Sequence, residues 1–263
     1  NYEKRDLIFD FVDKENPDII CYQEFVNDNS GTFVTLDTMT KFQKAVNHHI
    51  HYTAESRKKN FFGIATFSAY PIVNKGVIPF ENSTNNTCIF SDIKINQDTL
   101  RVYNLHFESV HLSPEDKKFA NDLSKIKNIN KTDSLTENSQ RILGRLKRGF
   151  IKRAKQARKV ESHIQQCPYP VVLCGDFNDT PNSYAYHTIS KNLKDAFVTS
   201  GSGFGKTYLG IFPSFRIDYI LHSPEIKTFN FETYPVDYSD HRPVKVYIKF
   251  PNKIGRASCR ERV

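Results

Sequence analysis

Acidic, amide and histidine side chains recur where short apolar runs of this 263-residue sequence end. A carboxylate follows the run IICYQ, a carboxylate and an amide follow VVLCG, and a Ser-Asp-His triplet precedes the final apolar run. The candidate functional residues in these positions are Glu24, Asn104, His106, Asp176, Asn178, Asp218, Asp240 and His241.

The types of these residues indicate a specific chemistry. The carboxylates of Glu24 and Asp240 are hard oxygen donors, which suit Mg²⁺ or Mn²⁺ because these ions take one or two carboxylates and keep several waters. Two histidines, His106 and His241, together with further carboxylates supply proton transfer and orientation. The set therefore predicts metal-assisted hydrolysis of a phosphoester, with Mg²⁺ or Mn²⁺ as the cofactor.

The elements that position these residues are short strands interspersed with helices. A hairpin is predicted where CIFSDIKI and LRVYNLHF flank residues 96–98, and apolar spacing predicts helices over 3–15 and 36–50 and a helical insert over 113–165. This mixture favours an α/β sandwich over a strictly parallel wheel. Strand ends of layered α/β folds gather at one edge, so we expect the candidates to line one cleft.

Composition excludes several classes of protein. Hydrophobic residues make up 38% of the chain, with 21 Phe and 13 Tyr, which is enough for one large domain with an aromatic core. The apolar stretches are shorter than the roughly 20 residues of a membrane span, so we expect a soluble stretch. Five cysteines without CxxC spacing argue against a zinc site or a disulfide framework. The chain begins at Asn1 without Met, which leaves its localisation open.

The last residues, 253–263, break the preceding pattern because they have neither periodicity nor an apolar face. They resemble the in-frame translation of a widely used sequencing adapter. We therefore interpret them as a non-native tail and assign the catalytic domain to residues 1–252.

Six segments carry a resemblance to a known family, and in chain order they are IICYQE, GIATFSAYPI, YNLHFES, CGDFNDTP, RIDYIL and SDHRPV. Together they resemble the endonuclease/exonuclease/phosphatase superfamily of magnesium-dependent phosphodiesterases, over residues 3–250 apart from the helical insert. The resemblance implies a four-layered α/β sandwich, in which two packed mixed β-sheets are flanked by helices.

The resemblance also implies roles for the metal-binding end of the site. Glu24 matches the metal-binding Glu of the family's QE motif, and Asp240 matches the Asp of SDH, which lies beside the metal. His241 matches the histidine that acts as general base or contacts the phosphate. Asp218 matches the carboxylate that orients this histidine.

The remaining roles concern water and phosphate. Asp176 and Asn178 match the pair that positions the attacking water and the phosphate. If the strand continues through them, both side chains point the same way and Phe177 faces the core. His106 matches the histidine that contacts the scissile phosphate in the deoxyribonuclease, sphingomyelinase and deadenylase branches.

Two features of the sequence concern the branch of the superfamily and the expected activity of the chain. The absence of Trp and the histidine at position 106 disfavour abasic-site endonucleases, and FRIDYIL in place of a CDR signature disfavours inositol phosphatases. The family normally begins with a strand bearing SYN or similar, and this chain starts after that point. We therefore expect an N-terminally truncated domain that lacks its first strand and is poorly active.

Weaker signals concern partners. Residues 141–159 hold nine Lys or Arg and no acid, which fits either a solvated helix face or contact with a polyanion such as nucleic acid or a membrane of anionic phospholipid. SGSGFGKT, residues 200–207, lacks the spacing of a phosphate-binding loop and is interpreted as a glycine loop beside the cleft. We expect a monomer. The alternative function is a non-catalytic nucleic-acid or membrane-surface binding module that retains the fold.

Overall fold

The structure is a computed structural model that describes residues 4–28, 36–41, 44–56, 60–81, 85–110, 115, 132–210 (132–138 as backbone) and 215–250. The helices are α1 (Arg5–Glu15), α2 (Leu36–Lys41), α3 (Thr132–Gln165), α4 (Tyr184–Ser190) and α5 (Ala196–Ser200). The strands are β1 (Ile19–Asp28), β2 (Asn47–Glu55), β3 (Asn60–Ser68), β4 (Ile72–Ile78), β5 (Thr87–Ile95), β6 (Asp98–His106), β7 (Val171–Asp176), β8 (Lys194–Asp195), β9 (Asp218–His222), β10 (Lys227–Thr233) and β11 (Val244–Lys249).

These strands form two main sheets and one small one. The larger sheet has six strands in the order β4-β5-β6-β7-β9-β8, and the smaller has three in the order β1-β3-β2. Strands β10 and β11 pair as a separate antiparallel ribbon. The two main sheets pack against each other through β1 and β3 on one side and β5, β6 and β7 on the other.

Side-chain alternation along the strands separates the core into layers. On β6, Leu100 and Val102 face the space between the sheets, whereas Tyr103 and Leu105 pack outward against α3 and α4. On the far side of the three-stranded sheet, α1 and α2 cover a third cluster around Phe67. The order of layers is therefore helices, sheet, sheet, helices, and the predicted α/β sandwich is confirmed.

Strands β6 and β7 are the one parallel pair among the described strands of the six-stranded sheet, and all other neighbours are antiparallel. A parallel connection must cross over the sheet, and the long helix α3 lies in this crossover. Because both strands run in the same direction, they end at the same edge of the sheet.

One helix prediction was wrong in its second half. The apolar spacing of residues 36–50 suggested a single helix, but α2 ends at Lys41 and residues 47–50 belong to β2. Strand β2 pairs with β3 and packs the partly buried Ile50 against the α1 side of the sheet, so tertiary pairing determines its conformation.

The structure also bears on the predicted hairpin, the cysteines and the ends of the predicted segments. The hairpin of β5 and β6 is confirmed. The four cysteines among the described residues, Cys21, Cys88, Cys167 and Cys174, are free thiols. Within the described chain, none of the helices combines the length and apolar character needed to cross a membrane. The tail 253–263 and most of the first part of the insert, 113–131, lie outside the described residues.

Candidate active site

Strand register places three of the predicted residues in one row across the six-stranded sheet. His106 is the last residue of β6 and is the register partner of Asp176, the last residue of β7. Asp176 in turn faces Asp218, the first residue of β9. Nε2 of His106 lies 3.5 Å from Oδ2 of Asp176. The row forms one edge of the sheet, as the strand-end pattern predicted.

His241 completes this row from outside the sheet. Its Nδ1 lies 2.9 Å from Oδ2 and 3.1 Å from Oδ1 of Asp218, so the imidazole N–H donates to that carboxylate. Its Nε2 lies 4.0 Å from Oδ2 of Asp176. The Asp176 carboxylate is therefore shared between the Nε2 atoms of His106 and His241.

Glu24 reaches the same edge from the three-stranded sheet through an irregularity in β1. The pairing of β1 with β3 shifts register between Tyr22 and Phe25, and Glu24 has a φ of 51°, which is uncommon for a residue with a side chain. Its carboxylate is 80% exposed, and Oε1 lies 3.9 Å from Nε2 of His106. The bulge therefore turns this side chain out of the sheet and towards the row.

Asn104, two residues before His106, holds the bulge in place. Its buried amide donates to the carbonyl oxygen of Ala65 over 2.9 Å and lies 3.3 Å from that of Tyr22. Its Oδ1 accepts from Nε2 of Gln23 over 2.6 Å. These bonds join the two sheets immediately beside Glu24, so Asn104 contributes structure to the site rather than a group at its surface.

Asn178 reaches Asp176 by a turn and not by continuation of the strand. Strand β7 ends at Asp176, and Asn178 has a φ of 50°. Its backbone N–H donates to Oδ1 of Asp176 over 2.7 Å, and its Nδ2 lies 3.1 Å from Oδ2. Phe177 is fully buried, as predicted. The strand does not continue through Asn178, so the condition for a shared direction of the two polar side chains is not met, because the Asp176 side chain accepts from the backbone and closes a turn.

The glycine loop lies beside this cleft, as its interpretation predicted. Oγ1 of Thr207 accepts from the backbone N–H of Asp218 over 3.2 Å, and the N–H of Leu209 donates to the carbonyl oxygen of Asp240 over 2.8 Å. The Tyr208 ring packs edge-on against His241 with centroids 5.1 Å apart. The loop therefore anchors the segments that carry Asp218, Asp240 and His241.

Crowded carboxylates control the protonation of the site. Burial alone lowers the pKa of His241, but the hydrogen bond to Asp218 and the charges of Asp218, Asp176 and Asp240 outweigh it and raise the pKa to about 9. Burial and the Asp176 charge raise the pKa of Asp218 above its usual range. The cluster of carboxylates is thus electronegative and favours bound positive charge.

The residues present fit a divalent cation. Ligand atoms of Asp176, Asp218 and His241 lie within 4.8 Å of one another. The Glu24 carboxylate is exposed at the mouth of the cleft, and the exposed Asp240 carboxylate accepts from the Ser239 hydroxyl over 3.1 Å. Carboxylate oxygens are the donors that Mg²⁺ and Mn²⁺ prefer, and an ion here would offset the acidic charge that raises the pKa values above.

The structure thus brings Glu24, His106, Asp176, Asn178, Asp218 and His241 together, and Asp240 joins them through its charge on His241. Among the described residues, the set whose ligand atoms all lie within 4.8 Å of one another differs from the predicted metal pair, since it contains neither Glu24 nor Asp240. Sequence reasoning gave no site role to Thr207, the last residue of SGSGFGKT, or to Tyr208, which follows it, although this loop was a signal.

Comparisons with known proteins identify the family of this chain. A family model described as the Endonuclease/Exonuclease/phosphatase family matches residues 1–241, which include every predicted site residue. No curated protein matches the chain.

Solved structures share the fold. An endonuclease/exonuclease/phosphatase from Bacteroides vulgatus is 18% identical with a TM-score of 0.64, covering 95% of this chain and 92% of its own. The human Nocturnin catalytic domain with bound sulfate is 17% identical with a TM-score of 0.60, covering 94% and 88%. A mannosyl-6-phosphatase of Bacteroides thetaiotaomicron is 17% identical with a TM-score of 0.57, covering 94% and 91%. On the match of the family model, the chain belongs to the Endonuclease/Exonuclease/phosphatase family, whose members are metal-dependent phosphoester hydrolases of nuclease or phosphatase type.

Proposed function

We propose that this protein is a Mg²⁺- or Mn²⁺-dependent phosphodiesterase that hydrolyses its substrate by in-line attack of water. The observation that carries the proposal is the shared carboxylate of Asp176, whose Oδ2 lies 3.5 Å and 4.0 Å from the Nε2 atoms of His106 and His241. Two imidazoles that face one carboxylate can contact a phosphate and a water between them. Two proteins with similar folds support a site for phosphate groups, since one is a mannosyl-6-phosphatase and the other, the Nocturnin domain, binds the tetrahedral sulfate anion.

Each residue has a role that follows from its contacts. Asp218 accepts from Nδ1 of His241 and so turns Nε2 towards Asp176, which serves His241 equally as a base or as a phosphate contact. Asn178 donates to Asp176 and to the carbonyl oxygen of Phe107, so its amide has a fixed orientation beside the row. His106 presents Nε2 at the same edge. There it would contact the scissile phosphate.

Glu24 and Asp240 would hold the divalent ion at the exposed side of the cleft. A bound ion supplies charge relief for the leaving oxygen and favours deprotonation of water. Turnover therefore distinguishes a hydrolase from a non-catalytic binding module. A binding module would retain affinity for phosphate without hydrolysis.

The test is a panel of phosphoesters comprising DNA, RNA, sphingomyelin and bis-p-nitrophenyl phosphate, each with Mg²⁺, Mn²⁺ or EDTA. We expect metal-dependent hydrolysis of at least one diester, and a fall of about 10³-fold in His241→Ala with substrate binding retained. Equal turnover in His241→Ala and wild type would reject the assigned site. Binding of DNA or sphingomyelin vesicles without hydrolysis by the wild type would favour the binding module.

We propose further that the exposed cations of α3 attract a polyanionic substrate. Lys147, Lys155 and Lys159 are exposed on this helix, and the sequence over 141–159 holds no acid to offset them. Long-range attraction of this kind weakens steeply with salt. We expect the triple Lys→Gln variant at these positions to lower the salt dependence of kcat/KM on DNA.

A matched control is available elsewhere on the surface. Lys191, Lys194 and Lys227 are also exposed, and their triple Lys→Gln variant changes net charge equally. If both triple variants alter the salt dependence alike, net charge rather than α3 is responsible.

A further inference from the structure

Arg153 is the largest fully buried side chain in the described structure, although it lies within the most basic segment of the sequence. It belongs to α3, and its side chain is only 1% exposed. A buried guanidinium requires close partners, because its desolvation otherwise costs several kcal/mol. Its neighbours on the helix, Lys152 and Lys155, are exposed. Arg153 is therefore a specific contact and not part of a solvated basic face.

The two partners of Arg153 lie on two different catalytic loops. Nε donates to Oδ2 of Asp179 over 2.8 Å, and one terminal nitrogen donates to the carbonyl oxygen of Glu108 over 2.9 Å. Glu108 is two residues beyond His106, and Asp179 is one residue beyond Asn178. The planar guanidinium thus joins the segment that follows β6 to the segment that follows β7.

Further bonds hold the same two segments together. The N–H of Phe107 donates to the carbonyl oxygen of Asp176 over 3.0 Å, and Nδ2 of Asn178 donates to the carbonyl oxygen of Phe107 over 3.0 Å. On the α3 side, Oε1 of Gln156 accepts from the N–H of Glu108 over 3.0 Å. These bonds link backbone positions directly next to the catalytic side chains.

Close packing leaves Arg153 little freedom to move. A Cβ atom at Gly149 would lie 3.0 Å from a terminal nitrogen of Arg153 and 3.1 Å from the Val110 side chain. The Phe150 ring lies 4.9 Å from the guanidinium carbon. Glu108 is itself tied to Lys152 over 2.5 Å and to Asn86 over 2.6 Å, so its carbonyl group also has a fixed position.

We propose that Arg153 is a positioning residue for catalysis, an inference that rests on the proposed hydrolase function. By clamping the two segments, it sets the separation between His106 and the turn that carries Asp176 and Asn178. A displacement of about 1 Å between reacting groups is enough to cost about 10²-fold in rate. A helix on the outer face of the sheet thereby controls geometry at its catalytic edge.

The test compares Arg153→Lys with Arg101→Lys. Arg101 is also a buried arginine in a carboxylate pair, with Asp92 at 2.6 Å, but it lies near the start of β6. Both variants keep the charge and lose the two-pronged geometry. We expect kcat on bis-p-nitrophenyl phosphate to fall at least about tenfold in Arg153→Lys with little change in KM, whereas Arg101→Lys keeps the wild-type kcat. A purely structural Arg153 would lower the melting temperature in both variants and kcat in neither.

Hydrogen exchange gives a readout that does not depend on activity. We expect the amides of Phe107 and Asn178 to exchange at least about tenfold faster in Arg153→Lys than in Arg101→Lys. Equal exchange at these amides would overturn the clamp, even if the wild type hydrolysed no ester of the panel and the proposed function failed.

A second variant tests the same proposal if Arg153→Lys does not fold. Asp179→Asn keeps an acceptor for Arg153 but removes the charge, so we expect a severalfold loss of kcat. Wild-type kcat and wild-type exchange in Asp179→Asn would also reject the proposal.

Discussion

The central strands of the six-stranded sheet bury charged side chains at both ends, and the two ends use them differently. Near the start of β6, both oxygens of Asp92 accept from Arg101, over 2.6 Å and 2.7 Å, and Asn74 adds a third bond over 2.9 Å. At the other end, Asp176 faces two histidines at 3.5 Å and 4.0 Å.

The difference lies in how completely each carboxylate is neutralised. Asp92 has a permanent cation in bidentate contact, so little of its hydrogen-bonding capacity remains for a ligand. In the described structure, Asp176 accepts only neutral hydrogen bonds from Asn178, over 2.7 Å and 3.1 Å, and its titratable partners lie farther away. Its charge raises the pKa of both histidines and of Asp218. Burial of a charge therefore does not by itself mark a functional site. The type and distance of the groups that face the charge distinguish the functional end of the sheet from the structural one.

The largest effect is expected from Asp176→Asn. The substitution keeps the shape but removes the charge that both histidines face, so we expect kcat to fall by about 10³-fold. Asp176 repels Asp218 but attracts both histidines and accepts from Asn178, so these effects oppose one another and the melting temperature should change little. Kinetics on bis-p-nitrophenyl phosphate and thermal unfolding measure the two effects. Activity within tenfold of wild type would contradict the assignment of Asp176.

The opposite result is expected from Arg101→Met. Asp92 is 2% exposed and would lose its permanent cation, which costs about 3 kcal/mol of the free energy of unfolding. Urea denaturation measures this loss. The kcat of the folded enzyme should stay at the wild-type value, and a parallel loss of kcat would show that the two ends of the sheet are coupled.

Mn²⁺ binding also compares the two ends of the sheet. We expect Glu24→Gln to raise the dissociation constant for Mn²⁺ about tenfold, because a carboxylate ligand is lost at the mouth of the cleft. Asp92→Asn removes a carboxylate from the neutralised end and should leave this constant unchanged. Calorimetric titration with Mn²⁺ measures the dissociation constants of both variants. An unchanged affinity in Glu24→Gln would indicate that Asp176, Asp218 and His241 bind the metal instead.

The smallest effect is expected at a third kind of charge, the pair of Glu15 and Lys245 near the surface. The hydrogen bonds from Lys245 and Tyr234 lower the pKa of Glu15. A lowered pKa in the folded state adds stability above the ordinary value of 4.5, and this stability is lost as the pH falls through the folded value.

Glu15→Gln should therefore reduce stability by no more than about 1 kcal/mol at pH 7, and the difference from wild type should vanish in acid. Urea denaturation at pH 7 and pH 3 tests this. A difference that persists at pH 3 would indicate a packing effect rather than a charge effect.

Much of the fold and site could be predicted because polar residues at strand ends are recognisable from the local sequence alone. His106, Asp176 and Asp218 each terminate or begin an apolar run, and the register of three strands aligns them in one row. Glu24 and the SDH segment follow the same strand-end pattern, and the family resemblance added an expected role for each residue.

What was missed depends on contacts between distant segments. The spacing of residues 36–50 fits a helix as well as a strand, and only pairing with β3 decides for β2. A register shift at Glu24 and a left-handed φ at Asn178 leave no trace in hydrophobic periodicity. Nor does composition distinguish the buried Arg153 from the eight other cations of residues 141–159.

The parallel pairing of β6 with β7 has a consequence for how the protein gains activity as it folds. Hairpins such as β5 and β6 form from neighbouring residues, whereas the two strands that carry His106 and Asp176 meet only after the whole crossover has closed. Closing long loops slows folding, because chain entropy is lost before the contacts form. During refolding, hydrolytic activity should therefore return after most of the strand signal in circular dichroism, which makes turnover a reporter of the final step of assembly.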